Sequence, residues 1–150
     1  MLGIERHVFD TRGQQKSLTS LRSGELVLVK LEITATRNVP DALVVDLLPA
    51  GLELENQNLA NSSASLQENG EAVQNLLNQM QQADIQHIEF RDDRFVAAVA
   101  VNEGQPVTLV YLARAVTPGT YQVPQPQVES MYVPQWRATG TASGPLNVTP

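Results

Sequence analysis

The stretch Glu25–Thr36 reads ELVLVKLEITAT, and it decides the fold class. Apolar and polar side chains alternate with a period of two residues, which is typical of a β-strand with one buried face. We expect five alternate residues to form that buried face: Val27, Val29, Leu31, Ile33 and Ala35. A half-buried strand needs a second layer to cover it, so the pattern indicates a β domain.

Other short segments carry similar signals. A second alternation runs along Val107–Ala115, and Phe95–Val101 is apolar at every position, which predicts a central strand covered on both faces. Arg91–Arg94 predicts the tip of a hairpin before that strand, and Asn38–Asp41 predicts a turn. Short strands without a βαβ rhythm predict an all-β fold, an antiparallel β-sandwich.

One segment departs from the strand pattern. Five apolar residues follow helical spacing: Val73, Leu76, Leu77, Met80 and Ala83. They predict one inserted helix over about residues 71–83. A helix of this length is marginal alone in water, so we expect its apolar stripe to pack on a sheet.

Composition limits the possible functions. The chain has 150 residues, which fits a single domain, and its net charge of −6 with a pI near 4.8 argues against nucleic-acid binding. It has no cysteine, which excludes disulfides and thiolate metal sites. We predict no metal and no cofactor.

No apolar run approaches the ~18 residues of a membrane span. Met1–Arg12 lacks the apolar region of a signal peptide, so the chain is either cytoplasmic or a piece of a longer exported protein.

Adjacent carboxylates raise the alternative of a calcium site. Asp92 and Asp93 would need Asp46 or Glu89 and further groups, because calcium takes six to eight oxygen ligands. Neighbouring residues of a strand point to opposite faces. A hairpin tip whose acidic charges are offset by flanking arginines is the better interpretation.

The segment Val128–Trp136 is a candidate interaction surface. It brings Met131, Tyr132 and the only tryptophan, Trp136, into a proline-containing stretch. Exposed Met, Tyr and Trp are favoured at protein interfaces, although the same residues could close one end of a sandwich. In a strand, Met131 and Tyr132 would point to opposite faces, so at least one would face away from the core.

Four stretches carry a family resemblance. In chain order they are Asp46–Glu53 (DLLPAGLE), Phe90–Arg94 (FRDDR), Tyr111–Tyr121 (YLARAVTPGTY) and Glu129–Tyr132 (ESMY). Together they resemble the C-terminal domain of bacterial α2-macroglobulins, of the enterobacterial type, over about Glu25 to Trp136. This domain is a macroglobulin-like β-sandwich, similar to the receptor-binding domain of the animal relatives.

The resemblance implies that residues 1–150 are one C-terminal domain of a larger chain. Such proteins are periplasmic, broad-spectrum protease traps, anchored to the inner membrane through a lipidated N-terminus. A protease cuts a bait region, and in the thioester-bearing members a Cys–Gln thioester elsewhere in the chain then acylates the attacker. The implied partners are the thioester domain and other neighbouring domains and, through the whole molecule, target proteases. The domain itself is expected to contact neither membrane nor nucleic acid.

The resemblance also implies roles for individual residues. Met131 and Tyr132 match the family segment that lies near the thioester, and we expect them to shield it from water as an apolar lid. A second set is expected to contact neighbouring domains: Arg91, Asp93, Arg94 and Trp136.

Two other classes of function stay open at this point. A free-standing Ig-like adhesion or carbohydrate-binding module would need an exposed aromatic platform, whereas Tyr111, Tyr121 and Tyr132 lie in different sequence contexts. An enzyme would have to use His7 or His87, but no Gly-x-Ser-x-Gly elbow accompanies them. We therefore predict no catalytic residues.

Overall fold

The computed structural model describes residues 1–55, 75 and 78–150. This part of the chain forms twelve strands: β1 (Leu2–Phe9), β2 (Ser20–Arg22), β3 (Leu26–Ala35), β4 (Val39–Leu47), β5 (Leu52–Leu54), β6 (Asp84–Phe90), β7 (Arg94–Val101), β8 (Val107–Ala115), β9 (Gly119–Tyr121), β10 (Gln127–Ser130), β11 (Arg137–Thr139) and β12 (Leu146–Thr149). Residues 75 and 78–81 are helical. Within the described residues as a whole, no helix is both long enough and apolar enough to cross a membrane.

The strands form three sheets. A four-stranded sheet has the order β1-β3-β8-β5, a five-stranded sheet has the order β11-β10-β4-β7-β6, and a small sheet has the order β2-β12-β9. The inner faces of the two larger sheets pack together around one hydrophobic core, which confirms the predicted β-sandwich. The pairing of β12 with β2 is parallel, a detail that the sequence did not predict.

Strand β3 behaves as its alternation predicts. It lies between β1 and β8, and its five alternate apolar residues are buried in the core. On the opposite face, Leu28 is buried as well and joins Val110 and Leu112 in a second, smaller apolar cluster. The four-stranded sheet is therefore apolar at its centre on both faces.

The helical segment helps to cover this second cluster. Met80 packs against it, and Ala83 packs against the main core, so the predicted docking on a sheet is confirmed for these two residues. The helix ends at residue 81 and not at 83, because β6 begins at Asp84. The other members of the predicted stripe lie outside the described residues: Val73, Leu76 and Leu77.

The β6–β7 hairpin is confirmed, but one property of β7 is not as predicted. The Arg91 N–H donates to the Arg94 carbonyl at 2.9 Å, which closes the hairpin tip. Along β7 the residues from Phe95 to Val101 alternate between buried and half-buried. The prediction that both faces are covered is therefore wrong, because small apolar side chains on the outer face keep part of their surface in solvent.

The chain also turns earlier than predicted before β4. The turn ends at Asn38, and β4 begins at Val39, so Pro40 and Asp41 belong to the strand. Pairing with β7 shifts register between Val39 and Ala42, which marks a β-bulge. A bulge is one of the few places where a sheet accepts proline, and this explains why a turn-like sequence is extended.

A buried carboxylate links the two large sheets. Asp46 of β4 has no solvent exposure and accepts hydrogen bonds from Arg6 Nη1 of β1 at 2.7 Å and from Tyr111 Oη of β8 at 2.5 Å. Arg6 also donates to the Pro124 carbonyl at 3.0 Å. Burial raises the pKa of Asp46, and the positive charge of Arg6 opposes that rise. The ring of Tyr111 stacks on Phe95 with 4.9 Å between centroids. This network fixes the placement of one sheet on the other.

A second close contact lies at the end of the sandwich. The ring of Tyr121 passes so near Gly51 that an added Cβ there would lie 2.4 Å from Cε2. The Tyr121 hydroxyl is held by donation to the Thr117 carbonyl at 2.9 Å, so the ring cannot easily move away. Glycine is required at position 51 because of this approach.

We predict that Gly51→Ala lowers the free energy of unfolding by about 1–3 kcal/mol, because the new methyl group overpacks against the Tyr121 ring. Urea denaturation followed by Trp136 fluorescence measures the change. Gly144→Ala is the matched control, since an added Cβ at Gly144 meets nothing within 4 Å. Equal stabilities of the two variants would contradict the packing argument.

A pH-dependent prediction follows from Tyr111. Burial, followed by the negative charge of Asp46, raises the pKa of Tyr111 well above its ordinary value of 10.0. Because the folded-state pKa is the higher one, the stability that this group contributes is present below about pH 10 and is lost as the pH rises through the folded-state pKa. The free energy of unfolding should therefore fall more steeply for the wild type than for Tyr111→Phe between about pH 9 and about pH 11. Parallel pH profiles would rule this out.

Candidate functional site

Met131 and Tyr132 lie in a loop of residues 131–136 that connects β10 with β11. The Ser130 N–H donates to the Trp136 carbonyl at 2.9 Å and closes the loop at its base. A second bond, from the Trp136 N–H to the Val133 carbonyl at 2.9 Å, forms a turn within it. Since β10 ends at Ser130, Met131 and Tyr132 are loop residues, and the expectation that a strand sends them to opposite faces is wrong.

Both side chains extend into solvent. Tyr132 is 86% exposed and Met131 is 45% exposed. In the described part of the chain, only Met1 and Phe90 are other large apolar side chains with this degree of exposure. Two adjacent exposed residues of types that interfaces favour indicate a contact surface rather than a plug of the sandwich.

The loop is tied to β4 by Asp41, a residue that the sequence analysis did not single out. The carbonyl of Asp41 accepts a hydrogen bond from the Met131 N–H at 3.0 Å. Its Oδ2 accepts from Ser130 Oγ at 3.0 Å and from the Tyr132 N–H at 2.8 Å. Ser130 Oγ in turn accepts from the Val133 N–H at 3.1 Å. Three consecutive residues therefore donate to one buried aspartate.

The bulge in β4 explains this position of Asp41. Between Val39 and Ala42, β4 carries one residue more than β7, and bulges commonly re-aim a side chain. Asp41 and Ala42 are consequently buried in succession instead of alternating. In the sequence, an aspartate that follows proline is typical of a turn, so no local signal marks Asp41 as a loop anchor.

Trp136 lies at the base of the loop and not on its outer surface. It is half-buried and packs against the main core. The guanidinium of Arg37 lies 5.2 Å from the centroid of its ring, a cation–π contact. The structure thus gives Trp136 a supporting position, and its contact with a neighbouring domain stays a prediction.

The other three residues of the second predicted set, Arg91, Asp93 and Arg94, lie at the tip of the β6–β7 hairpin. Arg91 Nε donates to Glu89 at 2.9 Å, and Arg94 makes two hydrogen bonds to Asp93, both at 3.1 Å. A hydrogen bond with His87 lowers the pKa of Glu89, with a further contribution from Arg91, and a hydrogen bond from Arg94 lowers the pKa of Asp93. These exposed charges are satisfied within the hairpin, so their use in an interface stays a prediction.

The structure does not bring the three hairpin residues near the loop of Met131, Tyr132 and Trp136. Arg94 pairs with Leu47 at the last residue of β4, whereas Ser130 pairs with Ala42 near its beginning. Five residues of strand separate these positions by about 17 Å. The loop and the hairpin therefore lie at opposite ends of the five-stranded sheet and would face different partner surfaces.

The other candidate residues are separated as well. His7 lies on β1 and His87 on β6, in different sheets. Asp46, the proposed additional calcium ligand, is buried beside Arg6, while Asp93 is at the exposed hairpin tip. Among residues 1–55, 75 and 78–150, no group of three or more histidine or carboxylate side chains is placed to hold a metal ion.

The three tyrosines do not share one surface. Tyr111 is buried between the sheets, Tyr121 is half-buried against Gly51, and Tyr132 is exposed on the loop. An aromatic platform for a carbohydrate would need several such rings on one exposed face. The arrangement therefore gives no support to the carbohydrate-binding alternative.

Comparisons with known proteins agree with this architecture. A family model described as "Bacterial Alpha-2-macroglobulin MG10 domain" matches residues 2–135. The α2-macroglobulin of Escherichia coli strain K12 is 77% identical over 150 residues, which are 100% of this chain and 9% of that relative. The crystal structure of trypsin-activated α2-macroglobulin from E. coli matches with a TM-score of 0.90 and 78% identity, over 99% of this chain and 10% of the other. Salmonella α2-macroglobulin reacted with methylamine matches with a TM-score of 0.89 and 76% identity, over 99% of this chain and 9% of the other. The chain thus spans about a tenth of the length of these relatives.

We predict that Ser130→Ala lowers the free energy of unfolding by about 1–3 kcal/mol, because the buried Asp41 carboxylate loses a donor and the Val133 N–H loses its acceptor. Ser23→Ala is the matched control, since the exposed Ser23 hydroxyl donates a single bond to the Val116 carbonyl. Urea denaturation of both variants gives the comparison. A smaller loss for Ser130→Ala than for Ser23→Ala would contradict the buried network.

Proposed function

The chain belongs to the bacterial α2-macroglobulin MG10 family, and from this premise we propose that it is the terminal interaction domain of a protease trap. The family is one of protease inhibitors. Within the parent protein, the domain packs on the thioester domain, and the Met131–Tyr132 loop covers the thioester until a protease cuts the bait region. The observation that carries this proposal is the exposure of Tyr132 and Met131 on a loop anchored to the core.

Two relatives support a protein of this kind. The E. coli relative is described as activated by trypsin, a protease. The Salmonella relative is described as reacted with methylamine, an amine nucleophile of the type that opens thioesters at the acyl carbon. By analogy with these relatives, we propose that the parent protein encounters proteases and carries an acyl group that amines can attack.

The amino-acid composition limits which part of the proposed thioester chemistry this chain can supply. It contains no cysteine, so it cannot supply the thiol of a thioester. In this proposal the domain protects and positions a reactive group that another domain of the parent protein carries. It is not itself an enzyme, and it needs neither a cofactor nor a metal for this role.

The chemistry of the two loop residues suits a lid. A thioester hydrolyses when water reaches its acyl carbon, so an apolar contact that excludes water prolongs its lifetime. The methionine thioether adapts to irregular surfaces and is not a competing acyl acceptor, while the tyrosine ring adds a large, stiff apolar face. A phenol hydroxyl is a weak nucleophile, so the ring excludes water without itself attacking the thioester efficiently.

The remaining features of the proposal concern the parent protein. We place it in the periplasm, anchored to the inner membrane as a lipoprotein, with proteases of broad specificity as its targets. The hairpin residues Arg91, Asp93 and Arg94 contribute a second contact with a neighbouring domain. Their location about 17 Å from the loop along β4 means that this contact uses a different surface.

We predict that Tyr132→Gly and Met131→Ala each accelerate spontaneous loss of the thioester in the full-length protein by about tenfold, because water gains access to the acyl carbon. The release of free thiol without added protease measures the rate. Phe90→Ala is the control: Phe90 is a large apolar side chain, 41% exposed, at the opposite end of the sheet. If the two loop variants lose the thioester no faster than Phe90→Ala, the lid proposal is refuted.

A further inference from the structure

We propose that Asp41 is the positioning residue of the loop: its buried carboxylate holds Met131 and Tyr132 in the conformation that covers the thioester. This inference rests on the proposed function and adds a residue outside the loop to it. Asp41 is 90 positions before Met131 in the chain, and it reaches the loop only because β4 and β10 are paired.

The hydrogen bonds have the character of an anchor. Ser130 Oγ and the Tyr132 N–H both donate to Oδ2 of Asp41, at 3.0 and 2.8 Å. Hydrogen bonds to a carboxylate are stronger than those between neutral groups. Asp41 and Ser130 are buried, so water cannot readily replace the bonds if they break.

Asp41 binds the loop immediately after the end of β10. Ser130 is the last residue of β10, and beyond it the backbone is no longer held by the β4–β10 ladder. The carbonyl and carboxylate of Asp41 hold the first two loop residues, which are the two that carry the exposed side chains. Ordering a loop before contact reduces the entropy lost when a second surface closes on it. A loop without this anchor would cover its target for a smaller fraction of the time.

A general structural role is the competing explanation, and the chain offers a matched residue. Oδ1 of Asp10 accepts hydrogen bonds from the Arg12 N–H at 2.9 Å and the Gln14 N–H at 3.0 Å. Asp10 thus orders a different loop, after β1, with two hydrogen bonds as well. Asp41 and Asp10 can therefore be replaced one at a time. Comparing the two variants distinguishes a specific effect on the Met131–Tyr132 loop from the general effect of losing an aspartate that orders a loop.

The test uses the full-length protein with Asp41→Ala, Asp41→Asn or Asp10→Ala. The first readout is the spontaneous release of free thiol without protease; the domain itself adds no thiol signal because it has no cysteine. The second readout is hydrogen exchange at the Tyr132 amide. Asp41→Ala should shorten the thioester lifetime by about tenfold, the effect of losing charge-assisted hydrogen bonds that hold the loop, and should accelerate exchange at Tyr132.

The controls decide between the explanations. Asp41→Asn should recover part of the lifetime, because its amide oxygen can still accept, and Asp10→Ala should leave both readouts unchanged. An unchanged lifetime in Asp41→Ala overturns the inference, and so does an equal loss in Asp10→Ala. If Asp41→Ala does not fold, Ser130→Ala and Asp41→Asn take its place, and wild-type behaviour of both overturns the inference. A shorter lifetime in Tyr132→Gly with no change in Asp41→Ala defeats this inference alone, whereas no change in Tyr132→Gly defeats the proposed function.

Discussion

The placement of the two large sheets depends on the carboxylate of Asp46. It lies on the inner face of β4 and is bonded to Arg6 and Tyr111, both of which come from the opposite sheet. A buried charge that loses its partner is costly, on the order of 3–5 kcal/mol, so a shift of one sheet against the other would be penalised at this point. Apolar packing is less directional, and it would tolerate such a shift more easily. The stacking of Tyr111 on Phe95 is a further contact between the two sheets beside this network.

Two of the four stretches behind the family resemblance supply close contacts inside the domain. Asp46 and Tyr111 come from two of the four matching stretches and meet in the core. Gly51 and Tyr121, from the same two stretches, meet again at the end of the sandwich. The close contacts at these four positions restrict which side chains fit there. The exposed pair Met131–Tyr132 is different, since its side chains contribute little to the fold.

The loop with this pair combines exposed side chains with a buried backbone anchor. Asp41 accepts hydrogen bonds from the Ser130 hydroxyl and from the backbone N–H groups of Met131 and Tyr132, while the two apolar side chains extend outward. Precise presentation of apolar groups is useful only if another surface meets them. In a domain that spans about 9% of its relative's length, that surface is expected in a neighbouring domain. The combination of a buried anchor with exposed apolar side chains favours the interpretation as a lid over that as a loop that only contacts solvent.

The fold class could be predicted from the sequence, because the period-two alternation of Glu25–Thr36 and Val107–Ala115 is a local pattern that burial on one face imposes. The sequence also indicated the family and the two exposed residues, through short motifs. Three features became visible only in the folded chain: the bulge that places Asp41 under the loop, the ion pair of Arg6 with Asp46, and the partly exposed outer face of β7. Each depends on which strands become neighbours. The sequence of a single strand does not show which strands will pair with it. An aspartate that becomes buried therefore cannot be distinguished in the sequence from one that lies in a turn.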